Sequence, residues 1–188
     1  MESSFAALKA EHLEIWQSLQ KALQFFSQGQ IQEGIEFLKK LERSLEQHYE
    51  HENNLLFLKV FGNPKLSGGG PFCTLYYDSF MHHRPLRQLM ALMRKIDPQF
   101  QQPPFSGAAE KYVAAGSPLA IPSEEHLAIL SLVKALIPIL ENSSEQNTLN
   151  SSNSHWRSEA LNQLQAWIRS NHDKEERCLF ALIGSLLT

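Results

Sequence analysis

Histidines occupy positions in this chain where helical periodicity would place leucine, and that substitution limits what the core can contain. Phe5, Leu8, His12, Ile15, Leu19, Ala22 and Phe26 follow one another in steps of three and four, the spacing that puts residues on one face of a helix. His12 therefore points at the core. A second stripe, Leu38, Leu41, Leu45, His48, Glu52 and Leu55, carries a histidine and a carboxylate one turn apart. Burying a lone carboxylate costs on the order of several kcal/mol, so a stripe containing Glu52 calls for a positive partner, and a metal cation supplies one.

The pattern recurs. His126, Ile129, Val133, Leu136 and Leu140 repeat the offsets of His12, Ile15, Leu19, Ala22 and Phe26, and Glu11-His12-Leu13-Glu14-Ile15 is echoed by Glu125-His126-Leu127-Ala128-Ile129. The run from His48 to Phe57 is echoed by the run from Asn171 to Phe180. The two halves differ in spacing by nine residues, 36 from His12 to His48 against 45 from His126 to Asn171, which a longer turn absorbs. Two helical hairpins facing each other predict a four-helix bundle with its polar seam residues at one level.

Glycine and proline divide the chain. Gly62-Asn63-Pro64 and Gly68-Gly69-Gly70-Pro71 end the second helix, while Pro98, Pro103-Pro104 and Gly107 close a further helix near 72–96. Pro122-Ser123-Glu124-Glu125 reads as a helix start capped by Ser123, and Pro138 is expected to kink or shorten that helix. Residues 142–154 read as an exposed polar linker, with His155 solvated at its end. The expectation is a single all-α domain over 1–188: an antiparallel bundle with helices near 3–27, 30–58, 123–141 and 155–185, and an extra helix inserted between the second and third.

Composition fits a soluble fold, with 43% hydrophobic and 20% charged residues. A net charge of −3 lacks the basic footprint of a nucleic-acid binder. No apolar run reaches roughly 18 residues, so no membrane span is expected, and the opening segment does not read as a secretory signal. Cys73 and Cys178 fit a reducing compartment, which makes the expected location cytoplasmic.

Four strings, in order, resemble the hemerythrin-like proteins with histidine–histidine–glutamate cation-binding domains. They are Glu11-His12, the His-x-x-x-Glu-x-x-Leu-Leu-Phe string from His48 to Phe57, Glu125-His126, and the Glu-Glu-x-x-Leu-Phe string from Glu175 to Phe180. The resemblance implies a bundle of hemerythrin type and a non-haem di-iron centre, two ions per protomer, bridged by carboxylates and held by histidines of all four helices. Imidazole and carboxylate donors also suit manganese or zinc, and an incomplete ligand set leaves room for a small exogenous ligand. The rival ferritin-like di-iron architecture uses Glu-x-x-His pairs, and this sequence has none.

The expected metal ligands are His12, His48, Glu52 and His126, joined from the last helix by His172, Glu175 and Glu176. That last helix departs from the family string: Asn171 stands where histidine is expected, and His172 lies one residue off the seam. Either a local bulge rotates His172 and Glu176 inward, or Glu175 binds and another histidine fills the gap. The inserted helix offers His82 and His83 for that role, with Tyr76, Tyr77 and Asp78 nearby as orienting or packing groups. His51, beside Glu52, is expected to flank the site.

The function these readings suggest is a di-metal protein that binds dioxygen, nitric oxide or peroxide or handles iron, in a stress-response setting. The alternative is a regulatory interaction module stabilised by metal, with no small-molecule chemistry; a third is a bundle that has lost its metal. Neither a turnover reaction nor a protein partner is legible in the sequence.

Overall fold

The computed structural model describes residues 2–64, 91, 94, 111, 115, 117, 119–145 and 151–187, and these are all-helical or in turns. Four long helical runs account for nearly all of them. The first is α1 (Glu2–Ser27). The second joins α2 (Ile31–Glu50), a wide turn over His51–Leu56, and α3 (Phe57–Val60) without leaving helical backbone. The third is α4 (Ala120–Glu145). The fourth joins α5 (Ser151–Lys174), a second wide turn over Glu175–Leu179, and α6 (Phe180–Leu187). α1 packs on α2, α2 on α4, α4 on α5, and α5 back on α1.

Local chemistry sets the joints. Gly29, at φ 76°, turns the chain between α1 and α2, a conformation that side chains with a Cβ resist. Gly34 then lets α2 approach closely, because a Cβ there would come within 2.8 Å of the Phe26 ring.

Three expectations about helix ends are corrected. α4 begins at Ala120, after a turn in which the Leu119 amide donates to the Ser117 hydroxyl at 3.3 Å and the Ala120 amide to the Ser117 carbonyl at 2.9 Å. Ser123 lies inside the first turn, where its hydroxyl donates to Asn53 Oδ1. Pro138 does not end α4, which runs on to Glu145. Pro138 is exposed, while Leu136, Ile137 and Leu140 are buried and hold the helix in the core. Of the expected linker 142–154, residues 142–145 and 151–154 are helical, as parts of α4 and α5, and 146–150 lie outside the described residues; His155 falls within α5. Of the inserted helix near 72–96, Ala91 and Arg94 are described, both helical and exposed; Cys73, Tyr76, Tyr77, Asp78, His82 and His83 lie outside the described residues.

The apolar interior forms two clusters. The larger gathers Ile15, Leu19, Leu38, Leu41, Leu45, Ile129, Val133, Leu136, Leu164 and Ile168 from the four long helices. The smaller contains Leu8, Leu56, Phe57, Leu119, Leu179, Phe180 and Ile183. On every run the buried histidines and glutamates fall between the two sets: His12 between Leu8 and Ile15, His48 and Glu52 between Leu45 and Leu56, His126 between Leu119 and Ile129, and His172 and Glu175 between Ile168 and Leu179. Among the described residues, no helix is long and apolar enough to cross a membrane.

Candidate metal centre

The polar layer draws at least one histidine or glutamate from each long run. Seam periodicity delivers His12 from α1, His48 from α2 and His126 from α4. On the fourth run His172 and Glu175, one turn apart, lead into a wide turn. There the Phe180 amide donates to the carbonyl of Glu175, five residues back, which adds one residue to the turn and rotates the succeeding segment about the helix axis. A matching turn comes after His48, where the Phe57 amide donates to the carbonyl of Glu52. These two wide turns occupy equivalent places in the internal repeat.

The layer is dry and crowded. His48 and Glu52 are fully buried, and Glu175, His126 and Asn171 are 1% exposed. His12, His48 and His172 each present a ligand atom within 4.8 Å of the other two, and His12, His48, Glu52 and Glu175 form a second such group. The Nε2 atoms of His12 and His48 lie 3.0 Å apart, and the His12 and His172 rings stack at 3.9 Å. His126 Nε2 joins the groups from the other side, 2.6 Å from Glu175 Oε1 and 3.2 Å from Glu52 Oε2.

The other ring nitrogens face outward to fixed partners. His48 Nδ1 lies 2.9 Å from Glu11 Oε2, His12 Nδ1 lies 2.7 Å from Glu176 Oε1, and His126 Nδ1 lies 3.2 Å from the Asn53 amide. Such partners orient an imidazole and leave its other nitrogen aimed at a metal. Tyr49 lies flat on the His126 ring, at 4.0 Å and 3° between planes.

Every expected ligand in the described residues is therefore located. His12, His48, Glu52, His126, His172 and Glu175 meet in the layer. Glu176 does not; partly exposed, it reaches the outer nitrogen of His12. The structure combines parts of the two registers envisaged for the last helix, since His172 and Glu175 are both buried. His51 is exposed and shares Glu11 with His48, at 2.8 Å. Sequence reading assigned no role to Glu11, Asn53, Glu125 or Lys174. Glu11 and Asn53 each stand beside a seam residue, and that adjacency was the available signal.

The layer fits a cation. Neither oxygen of Glu52 has a hydrogen-bond partner, nor do Glu175 Oε2 and His172 Nε2, and all are buried. Unsatisfied buried acceptors of this kind are rare in proteins and costly. Burial, then the neighbouring charge of Glu175, raises the Glu52 carboxyl well above the usual range. Glu175 moves the other way: burial disfavours its charge, but His126 and His12 outweigh that and hold it well below. Burial, then the charge of His12, puts His172 well below the ordinary imidazole value, and burial lowers His48 despite its bond to Glu11. His12 is raised: burial opposes its charge, and Glu175 and Glu176 prevail. Burial and the neighbouring imidazoles thus push the two carboxyls of the layer in opposite directions, a balance that a bound cation would change.

One edge of the layer opens outward. His12 and His172 line a hollow of about 380 Å³ between α1 and α5, together with Lys9, Trp16, Arg169 and Glu176. A second hollow of about 560 Å³ shares Trp16, Arg169 and Asp173 with it and includes half-buried Cys178. No protein-family model, no curated protein and no solved structure matches this chain.

Proposed function

We propose that the polar layer is a di-metal centre of hemerythrin type, set in an antiparallel four-helix bundle, that takes dioxygen, nitric oxide or peroxide as an exogenous ligand. The observation that carries this reading is Glu52: a fully buried carboxylate with neither oxygen hydrogen-bonded, facing imidazoles of His48 and His126. His12, His48, His126 and His172, together with Glu52 and Glu175, would hold the ions. Non-haem iron is the favoured metal, since mixed imidazole and carboxylate donors suit it, although manganese or zinc fits the same donors. A bound pair of iron ions would supply a redox-active open position where a small ligand binds.

The chain's own residues shape that position. Glu11, Glu176 and Asn53 fix the imidazoles from outside, the two apolar clusters keep bulk water from the layer, and the hollow beside His12 and His172 gives a small molecule a way in. Iron handling remains within the same reading, because one open edge serves metal transfer as well as ligand binding.

Metal analysis and visible absorption of freshly purified protein test this. About two ions per chain are expected, with bands that respond to reductant and nitric oxide, and His48→Ala or Glu52→Ala should remove at least one ion. Full metal content and an unchanged spectrum in both variants, or a wild-type chain that binds no metal, would overturn it. Tightly held zinc with no exchangeable ligand would favour a metal-stabilised interaction module.

A further inference from the structure

A buried ion pair lies next to the layer without entering it. Lys174 donates to Glu125 Oε1; the two residues are 8% and 2% exposed, and the ammonium lies 5.5 Å over the Trp167 ring. Between this pair and the layer stands Asn171, the residue found where the family resemblance places a histidine. Its amide nitrogen donates to Glu125 Oε2 at 3.1 Å and to Glu175 Oε1 at 2.9 Å. The orientation of that amide comes from chemistry, because carboxylate oxygens that are ionised only accept.

The consequence falls on Glu175. Its Oε1 is held by Asn171 and by His126 Nε2 at 2.6 Å, while Oε2 has no hydrogen-bond partner and lies 3.3 Å from His12 Nε2. One oxygen is tethered and the other is turned into the layer. Glu52 has no such tether on either oxygen. The two carboxylates of the layer are therefore held differently.

We infer that Asn171 is a positioning residue that fixes Glu175 in its metal-binding orientation, with the buried Lys174–Glu125 pair as its anchor. This rests on the metal-centre reading above. Histidine at this position would add a ligand but remove the side chain bonded to both Glu125 and Glu175; asparagine gives up a metal bond and keeps the carboxylate aimed. A leucine of similar size would leave Glu175 Oε1 held by His126 alone, and the affinity of Glu175 for an ion would fall as its carboxylate gains freedom. Removal of groups that orient metal ligands costs on the order of 10- to 100-fold in affinity.

Cobalt(II) titration of the full chain, read by affinity and by the visible d–d spectrum, tests the proposal. Asn171→Leu should weaken binding on the order of 10- to 100-fold and alter the spectrum. The double variant Glu125→Leu/Lys174→Met leaves Asn171 intact, leaves no lone buried charge, and should lose affinity in the same direction. Glu125→Gln/Lys174→Met, which returns an acceptor for the Asn171 amide, should recover it; a purely structural role for the pair would not predict that rescue. Wild-type affinity and spectrum in folded Asn171→Leu, or in the folded Glu125→Leu double variant, would overturn the assignment. A wild-type chain that takes up no cobalt at all would instead remove the metal reading and this inference with it.

Discussion

Glu52 has a cost in the metal-free chain that its neighbours do not relieve, since both its oxygens are buried without hydrogen bonds. Glu52→Leu should therefore raise the stability of the metal-free protein, by about 1–3 kcal/mol, while abolishing the stabilisation that metal gives the wild type. For a chain of this size each kcal/mol moves the melting point by roughly 2–4 °C, so calorimetry with and without metal reads both effects. His172 carries the opposite kind of sensitivity. Its value in the fold lies well below the ordinary 6.5, so the unfolded chain protonates first as pH falls. Its contribution is complete above pH 6.5 and is lost below it, toward the folded value. Glu52 and His12, both raised, act with the reverse sign, their contributions being present at low pH and lost as pH rises. The comparison of metal-free wild type with His172→Leu isolates the first effect: urea midpoints should fall more steeply in the wild type between about pH 7 and about pH 5. Parallel profiles would mean that His172 is protonated without penalty.

At the scale of elements, the two wide turns set how the segments that follow the polar layer are rotated into the smaller apolar cluster. Seam periodicity made His12, His48, Glu52 and His126 legible, because each continues a run of apolar residues at helical spacing. The last helix was not fully legible for a physical reason. A turn with one extra residue leaves no composition signal, and its presence depends on how Leu179, Phe180 and Ile183 pack against α1 and α3. Hydrogen bonds such as Asn171 to Glu125 join residues far apart in the chain, and spacing within one helix does not encode them. Local propensity gave way to tertiary packing at both ends of α4, which starts before Ser123 and continues through Pro138. Deletion of exposed Arg177 should convert the Glu175–Leu179 turn to ordinary helix and rotate the segment after it by about 100° relative to Glu175. The layer and the smaller apolar cluster then compete for one rotation. The expected outcome is a helical protein that loses metal or loses several degrees of melting temperature, read by metal analysis and circular dichroism. Retention of both would show that the wide turn does not set the alignment.

Across the whole molecule, the layer separates one apolar cluster from the other and involves every long run. Metal binding to such a layer should stabilise the fold by about 2.7 kcal/mol when free metal is about 100 times its dissociation constant. Hydrogen exchange measures how that gain is distributed. Slowing should reach α1 and α6 together, since Leu8 and Phe180 belong to one cluster capping the layer, and slowing confined to α2 would argue against a centre shared by the four runs. The distance along the chain matters here: His12 and Glu175 stand near opposite ends of the sequence, yet their side chains meet at 3.3 Å. On the proposed reading, an ion held between them would act as a reversible cross-link that closes the long stretch of chain from His12 to Glu175 into a loop, adding coordination bonds to the packing of α1 on α5 that the metal-free fold already has.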